Sequence, residues 1–245
     1  MGRSIAQEPK GTTIVVTGAG SGIGYAITRR LLEAGYAVSA WDVAEGKLAG
    51  ANDAGLDFHE IDVRDKAAMD GVVAGIQTPI VGLVNCAAIY KPVPFLELDE
   101  ANWDAHLGIN LKGTLFASQA VLPRMRAQKA GAIVMFSSGI ARTGARHGTA
   151  YAATKGGVLG LARGMALDVA ADNIRVNVIS PGVTDTPQPR GHLSQADLDA
   201  MAAANPMGRI GEPEDMAETA LFLLEDDASF ITGQDIRVNG GGMMI

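Results

Sequence analysis

The chain has 245 residues, 47% of them hydrophobic and 19% charged, with a formal net charge of −7. That balance suits a soluble globular protein with a full core, and the lack of any basic block argues against nucleic acid or an anionic membrane surface as a partner. One cysteine, Cys86, excludes an internal disulfide and fits a reducing compartment, and Cys and His are too sparse and wrongly spaced for a zinc site.

The first ten residues, Met1 to Lys10, are polar and lack the apolar core of a signal peptide. They are expected to be flexible. No apolar run reaches the length of a transmembrane helix, so a cytoplasmic protein is expected. Beyond residue 10, short β-branched runs alternate with longer helical stretches. Strands are predicted at 13–17, 37–41, 58–61, 82–85, 132–136, 175–179 and 235–238. Helices are predicted at 22–34, 66–76, 100–128, 150–171 and 214–224. Ile14-Val15-Val16 and Ile133-Val134-Met135 are continuously apolar, as strands covered on both faces are. Repeated β-α-β units predict an α/β protein: a doubly wound, three-layer Rossmann fold with a seven-stranded parallel sheet. No linker divides the chain, so 1–245 is read as one domain. Only the segment 181–211 breaks the alternation. It holds four prolines and a short Ala-rich helical piece, and it is the natural substrate lid.

The first predicted strand runs into Thr17-Gly18-Ala19-Gly20-Ser21-Gly22-Ile23-Gly24, and a helix follows. Glycines let a backbone turn sharply and approach a phosphate closely. The helix N-terminus then presents N–H groups and a positive dipole end to a pyrophosphate. The spacing, G-x-x-x-G-x-G, departs from the common dinucleotide fingerprint G-x-G-x-x-G. Asp42 follows the second predicted strand, about 20 residues past the loop. A carboxylate there accepts both ribose hydroxyls of NAD and repels the 2′-phosphate of NADP. Neither Ser21 nor Val43 supplies a cation to welcome that phosphate. The competing reading of Asp42 is a cap for a short helix beginning near Val43.

Tyr151-Ala152-Ala153-Thr154-Lys155 places a phenol and an ammonium four residues apart. On a helix they leave the same face, one turn apart. A phenol ordinarily titrates at about 10. An ammonium about 4 Å away favours the phenolate by roughly 4 kcal/mol at an effective dielectric of 20, or about three pKa units. Such a pair can act as an acid/base catalyst for an alcohol or a carbonyl; the competing reading of an isolated match is a surface aromatic beside a solvated lysine.

Taken together, these elements resemble the short-chain dehydrogenase/reductase family, over nearly the whole chain. Thr17–Gly24 resembles its T-G-x-x-x-G-x-G loop, which brings Gly18, Ser21, Gly22, Ile23 and Gly24 to the cofactor. Asp62-Val63 resembles the acidic-apolar pair that brackets adenine. Asn85-Cys86-Ala87-Ala88 resembles the N-N-A-G segment, with Cys86 and Ala88 as departures, and it brings in Asn85 and Ala87. Asn110 and Ser138 match the family's asparagine and serine, and Pro181-Gly182 through Thr186 resembles the P-G-x-x-x-T segment that holds the nicotinamide amide. Val238-Asn239-Gly240-Gly241 stands where the family usually has V-D-G-G.

The resemblance implies hydride transfer between NAD and a secondary alcohol or ketone. Tyr151 is then the acid/base. Lys155 lowers its pKa and bonds the nicotinamide ribose. Ser138 donates to the substrate oxygen, and Asn110 bends its helix and holds a proton-relaying water. Thr186 binds the carboxamide, with Thr184 beside it. The alternatives are an NADPH-type carbonyl or 3-oxoacyl reductase and a non-catalytic dinucleotide-binding sensor. A sensor would have no need of Ser138, Tyr151 and Lys155 together. Tyr90, Lys91, Arg142, Arg146, His147, Arg190 and His192 fall in segments expected to line the pocket; these cations either serve an anionic substrate, such as a hydroxy acid or a carboxylated cyclic diol, or face solvent or another subunit. Cyclic diols and polyols remain open. Family members are commonly homotetramers built on the helices at 100–128 and 150–171 and the last strand. A tetramer is therefore expected, with a dimer as the alternative, and the apolar Met243-Met244-Ile245 tail is expected near a subunit contact.

Overall fold

The computed structural model describes residues 11–244; the expectations for 1–10 and for Ile245 lie outside the described residues. Seven strands form one sheet in the order β3-β2-β1-β4-β5-β6-β7. They are β1 (Thr13–Thr17), β2 (Ala37–Asp42), β3 (Leu56–Glu60), β4 (Ile80–Asn85), β5 (Gly131–Phe136), β6 (Ile174–Pro181) and β7 (Asp235–Val238). Every pairing is parallel. The winding reverses between β1 and β4, and in open α/β sheets ligands bind outside the carboxyl ends of the strands at such a switch point.

Alternation along the strands sorts the core into two layers. Ile14 and Val16 of β1 and Val134 and Phe136 of β5 join one layer with Ile27 and Leu31 of α1 (Gly22–Glu33) and Ala217 and Leu221 of α9 (Pro213–Leu224). Val15, Ile133 and Met135 join the opposite layer. There they meet Met69 and Val73 of α2 (Lys66–Gly75), Val121 and Met125 of α4 (Thr114–Gln128), and Val158 and Ala162 of α6 (Thr149–Val169). Burial on both faces is why β1 and β5 read as continuous apolar runs.

The helix predicted at 100–128 is not continuous. It begins as α3 (Glu100–His106), where the Asp99 carboxylate caps the first turn by accepting from Asn102 N at 2.7 Å. It widens to i→i+5 bonding over Leu107–Gly113 and resumes as α4. The wide stretch contains Asn110, whose side chain reaches out to another segment, and Gly113, where a Cβ would lie 2.6 Å from Val63 Cγ2. Such π-bulges collect at functional sites. The helix predicted at 150–171 ends at Val169 and tightens into one 3₁₀ turn. Asn173 then stops it in the left-handed region at φ 57. The other predicted boundaries agree within about two residues, the usual fraying of element ends.

The expected lid is a distinct excursion. Its neck is closed by backbone bonds from Asp185 N to Gly211 O and from Gly211 N to Val183 O, both 2.8 Å. It carries a short helix, α7 (Pro187–Arg190), and a longer one, α8 (Gln195–Ala204). Ser194 and Asp197 close a reciprocal capping box on α8. The remaining short helix, α5 (Ile140–Thr143), follows β5.

Candidate active site

The residues that sequence reasoning singled out lie at or just beyond the carboxyl ends of β1 to β6, on α6 and in the wide turn between α3 and α4. At the end of β1 the loop folds tightly on itself. Gly18 has φ +69, and a Cβ there would lie 2.8 Å from the Ala87 backbone; a Cβ at Gly24 would collide with the Gly18 carbonyl oxygen. Ser21 precedes α1 with extended backbone and makes no side-chain capping bond, and no acidic residue sits in the first turn. No acidic residue of α1 itself therefore offsets the positive end of its dipole. Ile23 packs half-buried against the core beneath the loop. Thr17 Oγ1 accepts from Cys86 N at 3.1 Å and Ala87 N at 3.2 Å, which pins β1 to β4. Asn85 is buried; its amide donates to Ser118 Oγ at 3.2 Å, while its Oδ1 has no partner among the described residues.

Asp42 sits beside this loop. Its carboxylate accepts from Gly20 N at 2.8 Å and from Val43 N at 2.7 Å. The short helix near it is a 3₁₀ turn at Gly46–Leu48, preceded by Glu45, so the capping alternative for Asp42 does not hold. Asp62 is engaged by Arg64, whose hydrogen bonds hold the carboxylate below its ordinary pKa against the opposing effect of burial. Val63 is buried against the wide turn of the α3–α4 helix.

Tyr151 and Lys155 share one face of α6 and are both buried. Ser137, at the end of β5, donates its hydroxyl to the Lys155 carbonyl at 2.8 Å and so locks that helix to the sheet. The next residue, Ser138, accepts from Ile140 N at 3.2 Å. The expected lowering of the phenol by the ammonium is overturned in this structure. Burial pushes Tyr151 up to about 12, and hydrogen bonding from Gln188 and Ser138 opposes it only in part. Burial also brings Lys155 down to about 8. The reason is geometric: Lys155 Nζ donates to the Phe136 carbonyl at 2.8 Å and lies 5.5 Å from the Tyr151 ring centre. Cys86 is likewise pushed up to about 12 by burial, which disfavours its thiolate.

Asn110 is fully buried. Its Oδ1 accepts from Ile89 N at 2.8 Å, and its Nδ2 donates to Ile89 O at 3.0 Å and Thr154 Oγ1 at 3.2 Å. It thus ties the segment after β4 to α6, next to Lys155. On the other side Gly139 N donates to Pro181 O at 3.3 Å, and Gly182 N donates to Val238 O at 2.9 Å. Thr184 is buried with its hydroxyl on Gly182 O. Thr186 lies against the glycine loop, where a Cβ on Gly22 would be 3.3 Å from it.

Of the two readings of the cations, the structure does not assemble the cationic pocket. Arg142 is paired with Asp235 at 2.8 Å. Arg190 forks onto Asp185 and reaches Gln195. Arg146, His147 and Lys91 are exposed. Tyr90 instead packs edge-on against Tyr151 at 4.9 Å between ring centres, and His192 packs edge-on against Tyr90 at 5.4 Å while its Nε2 meets Tyr90 O at 3.0 Å. Sequence reasoning missed Gln188 as a neighbour of the phenol; its place in the proline-rich lid was the only signal. The departure at Asn239 has a local explanation. Its Oδ1 accepts from Gly241 N and its Nδ2 donates to Met243 O, both at 3.0 Å, and a carboxylate could not make the second bond. Met243 packs near Gly139 of its own chain, and Met244 is exposed.

The model of the family described as enoyl-(acyl carrier protein) reductase matches residues 18–242. The chain belongs to the short-chain dehydrogenase/reductase family. It is 39% identical to the cis-4-hydroxycyclohexanecarboxylate dehydrogenase of Sinomonas cyclohexanicum, over 98% of each chain. It is 35% identical to the 3-oxoacyl-(acyl-carrier-protein) reductase FabG of Thermotoga maritima, over 95% of this chain and 98% of that one. It is 31% identical to human (3R)-3-hydroxyacyl-CoA dehydrogenase over the whole of both. As a short-chain dehydrogenase/reductase it is an oxidoreductase working between hydroxyl and keto groups. Among the described residues, no helix is long and apolar enough to cross a membrane, and no cluster of His, Cys, Asp and Glu is placed to hold a metal ion.

Proposed function

We propose that this protein is an NAD-dependent dehydrogenase of a secondary alcohol, with Tyr151 as acid/base. The observation that carries the reading is the convergence of Tyr151, Ser138 and Lys155 at the switch point, with the glycine loop and Asp42 alongside. The residues fit a dinucleotide. The uncapped α1 start would take the pyrophosphate on the backbone of Ser21, Gly22, Ile23 and Gly24. The Asp42 carboxylate keeps free lone pairs for ribose hydroxyls. Lys47 follows the loop but turns its ammonium over the Tyr25 ring at 5.4 Å. Asp62 and Val63 would flank the adenine, Asn85 and Ala87 the central ribose, and Pro181, Gly182, Thr184 and Thr186 the nicotinamide amide. When bound, the nicotinamide supplies the hydride acceptor.

This chain's own residues manage the proton. Ser138 holds the substrate oxygen next to the phenol. In the reducing direction Tyr151 is protonated and ready to donate. In the oxidising direction it must release its proton, and hydrogen bonding from Gln188 and Ser138 lowers that cost. Asn110 fixes the segment after β4 against Thr154 and so holds the geometry of α6.

The relative that reduces 3-oxoacyl groups supports a second reading as an acyl-chain reductase, but Asp42 disfavours the NADPH such a reaction usually consumes. We further propose one domain, a cytoplasmic location and a homotetramer. The assembly reading is supported by a cleft of about 400 Å³ between α4 and α6, lined in part by Leu115, Leu122, Leu161 and Met165, and by Leu167, which is 84% exposed. A monomeric mass in solution scattering would retire it. The central test is absorbance at 340 nm with NAD and separately NADP, against hydroxy acids, cyclic diols, polyols and neutral secondary alcohols. NADH formation that Tyr151→Phe abolishes, with NADH binding retained, is the expected result. Turnover surviving that change would overturn the assignment.

A further inference from the structure

Asp235 of β7 lies outside every motif discussed above, yet its side chain is only 7% exposed and both of its oxygens are engaged. Oδ2 accepts from Arg142 Nη2 at 2.8 Å, and Oδ1 accepts from the Ser180 hydroxyl at 2.5 Å. Arg142 belongs to α5, whose first turn is locked onto Ser138: Ile140 N donates to Ser138 Oγ, and Arg142 N donates to Gly139 O at 3.0 Å. Ser180 immediately precedes Pro181 and Gly182, and Gly139 N donates to Pro181 O. One buried carboxylate therefore grips the two segments that meet at the reacting centre. One carries Ser138, and the other leads into the stretch proposed to hold the nicotinamide amide.

We infer that Asp235, acting through Arg142 and Ser180, is a positioning residue that sets the distance between the Ser138 hydroxyl and the proposed nicotinamide site. The inference rests on the functional reading above. It assigns Arg142 to this brace and not to a substrate anion. An Arg–carboxylate pair suits the task because its fork fixes direction as well as distance. A misplacement of about 1 Å at a reacting group costs on the order of 100-fold in rate, so the brace should appear in turnover before it appears in binding.

The test compares wild type with Asp235→Asn, Arg142→Ala, Ser180→Ala and the Asp235→Asn/Arg142→Ala double variant. For each, kcat and KM are measured with carboxylated and neutral alcohols, together with the NADH Kd by fluorescence, well below each variant's Tm. The expected result is a drop in kcat of about tenfold or more for Asp235→Asn and for Arg142→Ala. KM and the NADH Kd should stay within about twofold, and the double variant should be no worse than the singles, as for residues acting as one unit. Arg142→Lys should restore part of the lost kcat. Unchanged kcat in both single variants, or losses that multiply in the double variant, would overturn the inference. So would an Arg142→Ala effect confined to the KM of carboxylated substrates, which would mark a substrate arginine. Should Asp235→Asn fail to fold, Ser180→Ala removes one arm without unpairing a charge and must still lower kcat selectively. Failure of the Tyr151 assignment is separately visible, because Tyr151→Phe would then retain turnover whatever these variants do.

Discussion

Lys155 donates its ammonium to the Phe136 carbonyl at 2.8 Å, one turn of α6 from Tyr151, in a site where both side chains are buried. The lysine titrates at about 8, below its ordinary value, because burial disfavours its charge. A lowered folded-state pKa means that the unfolded chain holds the proton more tightly. The associated stability is present above the unfolded value of about 10.4 and is lost as pH falls through about 8. At neutral pH the buried ammonium is therefore a net cost. Lys155→Met is expected to raise Tm at pH 7 by about 2–4 °C, on the order of 1 kcal/mol for a chain of this size after the lost hydrogen bond is counted. The gap should narrow between pH 8 and 10. Calorimetry across that range checks the sign, and an unchanged gap would sink the argument.

The glycine loop is fixed by collisions as much as by conformation. Gly24→Ala drives a methyl into the Gly18 carbonyl oxygen, and overpacking against backbone costs about 3 kcal/mol, about 6–12 °C in Tm. The same change at Gly71, on α2, meets nothing within 4 Å and should stabilise by about 0.5–1 kcal/mol through helix propensity. Parallel melting curves distinguish the two.

Asp42 is expected to set cofactor choice. Asp42→Asn keeps an oxygen for Gly20 N but removes the charge. The kcat/KM for NAD should fall about tenfold, the scale of a lost charge-assisted hydrogen bond, and discrimination against NADP should shrink. Titration of both cofactors reads this directly. An unchanged NAD/NADP ratio would count against the ribose role.

Arg175 reaches from β6 to the end of α9, donating to Leu223 O at 2.6 Å, Glu225 O at 3.0 Å and Leu224 O at 3.1 Å. These are carbonyls at a helix C-terminus, where a cation also meets the negative dipole end. Arg175→Ala should cost about 3 kcal/mol in urea unfolding, and Arg175→Lys should recover only part of it, because an ammonium lacks the planar fork.

The sequence determined the layers of this fold through the alternation of short β-branched runs with longer helical stretches. Ile14-Val15-Val16 and Ile133-Val134-Met135 fit strands buried on both faces, and such strands alternating with helices close as a parallel doubly wound sheet. It also indicated the candidate chemistry, because the glycine loop, Asp42, Ser138 and the Tyr151–Lys155 interval occur together in one chain and jointly resemble a family, although each alone is a modest signal. The tertiary structure alone decided which charges are free. A linear chain leaves open whether Arg142 and Arg190 serve a substrate; the fold pairs them with Asp235, 93 residues from Arg142, and with Asp185. It also decided the ionisation of the Tyr151–Lys155 pair. Spacing places two groups on one helix face, but desolvation and the Phe136 carbonyl come from packing against β5. The resemblance implied a bend at Asn110, but the partners of that side chain were hidden, since they come from Ile89 and Thr154, on segments far apart in sequence.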